Sequence, residues 1–233
     1  MKAVILAAGV GSRLGRPLPK SLSVLPTGET IIGRQIHALW EAGVREVYVV
    51  VGFKKTLVME QNPDVFYHYN PLFYLTNTAK SLLGAVRHLD DDVLWLNGDV
   101  VFDRSIIKLV LASQGNRICV DKKRCGDEEV KYTLDERGAI NAISKIVTKP
   151  QGEAVGINLV RREDLPALVR ALETCNDQDY FEMGLEIMIN AGVTILPLDV
   201  STYRCIEVDF EEDWDHARRM FAQGSAESRV LLG

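Results

Sequence analysis

The 233-residue sequence predicts an α/β fold: a doubly wound, mixed and mostly parallel sheet with a late antiparallel elaboration. Three observations carry this. Short apolar runs alternate with segments of helical spacing from Lys2 to Asp99. Two later runs flank Asp135-Glu136-Arg137-Gly138, which reads as a hairpin turn with Gly in the left-handed position. Hydrophobic residues make up 47% and charged residues 25%, enough apolar material for a core of normal size.

Lys2–Ala7 is a continuous apolar run, as expected of a strand covered on both faces. Thr30–Ala42 carries Ile32, Ile36 and Leu39 near helical spacing and stops at Gly43. Glu46–Val51 predicts a second strand, Lys54–Glu60 a helix and Val65–Tyr69 a third strand. Asn77–Leu89 is helical, with Ala79, Leu82, Leu83 and Val86 on one face, and Val93–Leu96 is a strand ending in Asn97-Gly98-Asp99. Such alternation implies right-handed crossovers and a parallel sheet. Glu129–Leu134 and Ala139–Ile146 form the hairpin, and Val155–Val160 continues as strand. Helices are expected at Glu163–Thr174, Tyr180–Ala191 and Glu211–Phe221, with strands at Thr194–Leu198 and Cys205–Val208. Residues 1–222 read as a single domain and 223–233 as a tail or linker.

The bulk properties exclude several classes. The formal net charge is -5, and the densest basic run, Lys122-Lys123-Arg124, is cancelled by Asp127, Glu128 and Glu129, so nucleic acid is not an expected partner. Cys119, Cys125, Cys175 and Cys205 form no CxxC pair, which points to reduced thiols in a cytoplasmic protein. No stretch approaches the roughly 18 apolar residues of a membrane span. A homodimer and a domain of a larger protein are both compatible with the chain.

The stretch LAAGVGSRLGRPLPKSL, from Leu6 to Leu22, is far longer than a turn needs. It follows the first strand, where open α/β sheets bind ligands. Gly9, Gly11 and Gly15 let backbone N–H groups approach an anion, and Arg13 and Lys20 add positive charge suited to phosphate. The spacing fits neither a Walker loop nor GxGxxG.

Leu6-Ala7-Ala8-Gly9, Gly11-Ser12-Arg13-Leu14 and Pro19-Lys20 match LAAGxGSRLxxxxPK. This resembles the opening signature of the nucleotidyltransferases that activate sugar phosphates and small phosphorylated alcohols. The resemblance implies a Rossmann-like sheet of the nucleotide-diphospho-sugar transferase type. It also implies Leu6, Ala7, Ala8, Gly9, Gly11 and Ser12 at the nucleotide, with Arg13 and Lys20 as catalytic cations on the triphosphate. Asp99, after Gly98, and Asp209, in Ile206-Glu207-Val208-Asp209, are similar to the family's two metal-binding aspartates, and the resemblance also implies Gly98 and Asp99 at the nucleotide. Mg²⁺, a hard cation that shares phosphate oxygens, suits such a pair. Asn77 and Ser81, at the start of a helix, fall where members contact base and sugar.

Within the family, Gly126–Lys131 and Ile143-Ser144-Lys145 look like the small cytidylyltransferases, of the phosphocholine and phosphonate type. The implied reaction transfers CMP from CTP to a small phosphorylated or phosphonate acceptor, such as phosphocholine, 2-aminoethylphosphonate or 2-hydroxyethylphosphonate. Lys145 would be a catalytic cation at the acceptor, with Lys131, Tyr180 and Glu182 as further acceptor contacts. Thr148-Lys149-Pro150 departs from the Glu-Lys-Pro of the glucose-1-phosphate enzymes, leaving Lys149 as a rival to Lys145.

Other readings stand beside these. Asp209 precedes Glu212 at capping-box spacing. Lys131 and Lys145 also read as outward residues of hairpin strands, and Asn77 and Ser81 as an early helix polar face. Tyr69, Phe73, Tyr74, Tyr180 and Phe181 read as core packing or as a cage for a quaternary ammonium. At the level of function, the alternatives are a sugar- or polyol-1-phosphate nucleotidyltransferase using another NTP and a non-catalytic nucleotide sensor.

Overall fold

The computed structural model describes residues 1–11 and 17–222; the expected tail, 223–233, lies outside them. Strand β1 (Lys2–Ala7) is apolar from Ala3 onward because both faces are covered there. Val4 and Leu6 join one core layer, and Ala3, Ile5 and Ala7 join the other. A 3-10 turn (Lys20–Leu22) and helix α1 (Ile31–Glu41) follow. Thr30 caps α1, its Oγ1 accepting from the Gly33 amide at 3.0 Å. Then come β2 (Glu46–Val51), α2 (Lys55–Gln61), β3 (Phe66–Tyr69), α3 (Thr78–Val86) and β4 (Val93–Asn97), in the predicted alternation.

Three elements follow that the apolar periodicity does not reveal: β5 (Val100–Phe102), α4 (Ser105–Ala112) and β6 (Asn116–Asp121). In α4, Ser105-Ile106-Ile107-Lys108-Leu109-Val110-Leu111-Ala112 is apolar nearly all round, so no face stands out. The remainder comprises β7 (Lys131–Leu134), β8 (Ile140–Ser144), β9 (Gly152–Val160), α5 (Leu165–Thr174), α6 (Phe181–Asn190), β10 (Ile195–Asp199), β11 (Cys205–Glu207) and α7 (Glu211–Phe221). The β7–β8 turn is the expected one: Gly138 has φ 79°, and Asp135 Oδ1 accepts the Arg137 and Ala139 amides at 2.9 Å each.

Among the described residues the main sheet has nine strands in the order β10-β6-β9-β4-β1-β2-β3, with the β7–β8 hairpin joined to β9. Strands β3, β2, β1 and β4 run parallel, and β9 is antiparallel to both β4 and β6. Helices α3, α5 and α6 cover one face; α1, α2 and α4 cover the other. Strand β11 does not join this sheet. It pairs antiparallel with β5 as a separate ribbon, and α7 packs on it through Trp214 and Phe221 against Val101 and Val208. No helix among the described residues is long and apolar enough to cross a membrane.

Candidate active site

Strands β1 and β4 are parallel neighbours, with Leu6 opposite Asn97, so the segments leaving their carboxyl ends lie side by side. Gly98 makes this approach possible: a Cβ there would stand 2.6 Å from the Leu6 carbonyl oxygen. Its amide donates to that same oxygen at 3.0 Å. Beneath the turn, the buried Gln35 of α1 donates from Nε2 to the carbonyls of Asn97 and Val100, both at 2.8 Å. Without that side chain two acceptors in the turn would lose their partner.

The β5–β11 ribbon then delivers the second carboxylate. Glu207 pairs opposite Val100, and the Val208 amide donates to the Asp99 carbonyl at 3.1 Å. Asp209 therefore arrives beside Asp99 from more than a hundred positions along the chain. Lys20 Nζ donates to both, to Asp99 Oδ2 at 2.8 Å and to Asp209 Oδ1 at 2.6 Å. Burial alone would lower the pKa of Lys20, but the two carboxylates outweigh it and hold the ammonium well above the usual lysine range. Gly11, at φ 63°, packs directly on Lys20, where a Cβ would come 3.0 Å from the lysine Cβ.

Asp209 is not closing the capping box of α7. That work falls to Asp213, whose Oδ2 accepts the Phe210 amide at 2.8 Å and the Asp209 amide at 3.0 Å. Glu207 joins the two aspartates: burial, then the charges of Asp99 and Asp209, push its carboxyl well above the ordinary range. Asn97 Nδ2 donates to Glu207 Oε1 at 3.2 Å. Sequence reasoning missed Glu207, although its two-residue spacing from Asp209 in extended chain is the signal for a shared face.

The residues present fit Mg²⁺. Asp99 Oδ1 is buried with no hydrogen-bond partner among the described residues, beside a second carboxylate. Among those residues no three His, Cys, Asp or Glu side chains form a self-sufficient metal cage. Two hard oxygen donors with the remaining positions left to waters and phosphates is how proteins usually hold this ion.

These groups floor a cleft of about 400 Å³. Its far wall comes from α6 and the hairpin region: Glu128, Val130, Lys145, Ala154, Tyr180, Phe181 and Glu182. The starts of α3 and α6 are laced together, the Asn77 amide donating to the Asp177 carbonyl at 2.7 Å and the Phe181 amide to Thr78 Oγ1 at 3.0 Å. Asn77 both caps α3, accepting from the Thr78 amide at 2.9 Å, and lines the cleft. Lys145 Nζ stands 5.4 Å from the centroid of the Tyr180 ring and 3.3 Å from Glu128 Oε2. Glu182 is 8% exposed, and burial pushes its carboxyl up to about 7.

Of the residues singled out from sequence, the structure gathers Leu6, Ala7, Gly9, Gly11, Lys20, Asn77, Gly98, Asp99, Lys145, Tyr180, Glu182 and Asp209 at this cleft. Ala8 lies alongside, but its carbonyl is taken by the Phe53 amide at 3.0 Å. Ser12 and Arg13 lie outside the described residues. Two of the expected contacts lie off the lining. Ser81 is buried behind the cleft, where Asn70 Nδ2 donates to its Oγ at 3.0 Å. Lys131 points inward, its Nζ donating to the carbonyls of Lys145 at 2.8 Å and Asp127 at 3.3 Å, so it braces the segment carrying Lys145. Lys149 is exposed and away from the lining, and of the five aromatic residues only Tyr180 and Phe181 reach it.

Residues 3–180 match the family described as the MobA-like NTP transferase domain. The CMP-5'-(3-aminopropyl)phosphonate synthase of Streptomyces rubellomurinus is 28% identical over 99% of the chain, which spans 40% of that relative's length. The UTP–glucose-1-phosphate uridylyltransferase AglF of Haloferax volcanii is 26% identical over 98% of the chain and 99% of its own length. The fold is shared with the inositol-1-phosphate CTP transferase from T. maritima, at a TM-score of 0.80 and 17% identity over 96% of both chains. It is shared also with the CTP:phosphocholine cytidylyltransferase of Streptococcus pneumoniae, at 0.79 and 20% identity over 94% of this chain and 98% of that one.

Proposed function

The chain belongs to the family of MobA-like NTP transferase domains and is a nucleotidyltransferase, and from that premise we propose that it transfers CMP from CTP to a small phosphorylated or phosphonate acceptor. The observation that carries this reading is the arrangement of one cleft: the Asp99–Lys20–Asp209 cluster on its floor and Lys145 on its wall. Cytidine is favoured by the Streptomyces relative, named as a CMP-phosphonate synthase, and by the two CTP-using structural neighbours.

In the proposed reaction an acceptor phosphate or phosphonate oxygen attacks the α-phosphorus of CTP and pyrophosphate leaves. That oxygen is already anionic, so the chain need not supply a strong base. Leu6, Ala7 and Gly9 receive the nucleoside end, and Gly11 brings its backbone close to the phosphates. Lys20 neutralises the triphosphate, as does Arg13 on the resemblance of its motif. Lys145 takes the acceptor anion, holding nucleophile and α-phosphorus together against mutual repulsion. Asp99 and Asp209 would hold Mg²⁺, which when bound screens the phosphate charge and orients the leaving pyrophosphate.

The uridylyltransferase relative makes UTP the sharpest competitor. With Mg²⁺ and a panel of small phosphoesters and phosphonates, pyrophosphate release is expected with CTP and at least tenfold slower with UTP, ATP or GTP, a difference of about 1.4 kcal/mol in transition-state binding. Faster release with UTP on a sugar phosphate contradicts the choice of nucleotide and acceptor. No release with any pair, from folded protein, removes the reading.

A further inference from the structure

The cleft wall holds a buried acidic group that nucleotidyl transfer itself does not use. Glu182 sits in the first turn of α6, buried, and its Oε2 has no hydrogen-bond partner among the described residues. It lines the same wall as Lys145 and Tyr180, and the Lys145 charge reaches it. A buried carboxyl with an unmet oxygen stays ionised at neutral pH only where a cation or donor meets it. We propose that Glu182 is the subsite for a primary ammonium on the acceptor, so that the preferred substrate is a zwitterionic aminoalkyl phosphonate or phosphate. This rests on the acceptor reading given above.

The two charges of such a molecule match the two of the wall. Its anionic end meets Lys145 and its ammonium meets Glu182, each forming a charge-assisted contact. A trimethylammonium group fits poorly. It has no N–H for Glu182 Oε2 and would depend on ring faces. Here Phe181 is 2% exposed and packed edge-on against Trp95, which leaves Tyr180 as the open ring of the lining. The Lys145 ammonium already lies 5.4 Å from its centroid. A neutral hydroxyl would donate one hydrogen bond but would bring no positive charge to hold the carboxyl ionised.

The test measures pyrophosphate release from CTP with 2-aminoethylphosphonate, 2-hydroxyethylphosphonate and phosphocholine, for the wild-type protein and for Glu182→Gln. The wild type is expected to favour the amine by at least about tenfold in kcat/KM, the range for a hydrogen bond to a charged group. Glu182→Gln is expected to raise KM for the amine about tenfold with kcat nearly unchanged, and to leave the hydroxyl analogue within about threefold. Equal use of the amine and either other acceptor by the wild type overturns the proposal whatever the variant does, and leaves cytidylyl transfer standing. An equal loss on all acceptors in Glu182→Gln also overturns it, assigning the residue to packing. If no acceptor supports release, cytidylyl transfer falls first and this subsite with it.

Discussion

Asp99→Asn is expected to cut kcat/KM for nucleotidyl transfer by on the order of 10³ while moving the melting temperature by no more than about 3 °C. The two halves of this expectation have different physical sources. Asp99 contributes a carboxylate at the point where four or more phosphate charges must be balanced, and an amide of the same shape cannot replace that charge. The fold loses little, because Lys20 keeps Asp209 at 2.6 Å and the Asn oxygen can still accept from it. The pair is also partly open to solvent, with side-chain exposures of 12% for Lys20 and 23% for Asp99, so its contribution to stability is modest. Initial rates and a thermal melt on the same preparation check both halves. Full activity would take Asp99 out of the site; a collapsed melt would make it a structural residue.

The second large effect concerns stability and pH. Burial raises the Glu182 carboxyl from its ordinary 4.5 to about 7, outweighing the opposing pulls of its own helix amide and of Lys145. The groups whose charge reaches it are Lys145 and Glu207. Between those two pH values the folded chain holds a proton that the unfolded chain has released. The contribution to stability is therefore complete below about pH 4.5 and lost as pH rises through about 7. At about 1.4 kcal/mol per pH unit this amounts to about 3 kcal/mol. Glu182→Gln cannot titrate. Relative to wild type it should gain about 3 kcal/mol between pH 4.5 and 8 in urea unfolding of the ligand-free protein, since the wild type alone loses that stabilisation. Parallel profiles for the two proteins would show that Glu182 is ordinarily ionised.

Much of this was legible in the amino-acid order. β1, β2 and β4 announce themselves because a strand buried on both faces is apolar along its buried run, with polar residues only at its ends. The glycine loop and Lys20 are legible because close backbone approach to an anion needs glycine, and Gly11 against Lys20 shows that need in atomic detail. Residues 100–121 were not legible: β5 has three residues, and α4 lacks a polar face to set its period. The grouping of Glu207 with Asp99 was hidden for a different reason. It depends on β11 leaving the main sheet to pair with β5, a long-range choice that local pattern does not encode. The direction of Lys131 was not legible, because a hairpin strand alternates faces and the sequence does not say which face is the wall. Its side chain turned out to brace the backbone at Lys145.

The most direct test of the central claim is phosphorus NMR of the purified protein incubated with CTP, Mg²⁺ and 2-aminoethylphosphonate. Cytidylyl transfer is expected to consume the CTP and phosphonate signals together, giving two coupled signals of a mixed phosphonate–phosphate anhydride and one of pyrophosphate. CTP and phosphonate signals that stay unchanged, beside a sugar phosphate that the same protein converts with UTP, would contradict it.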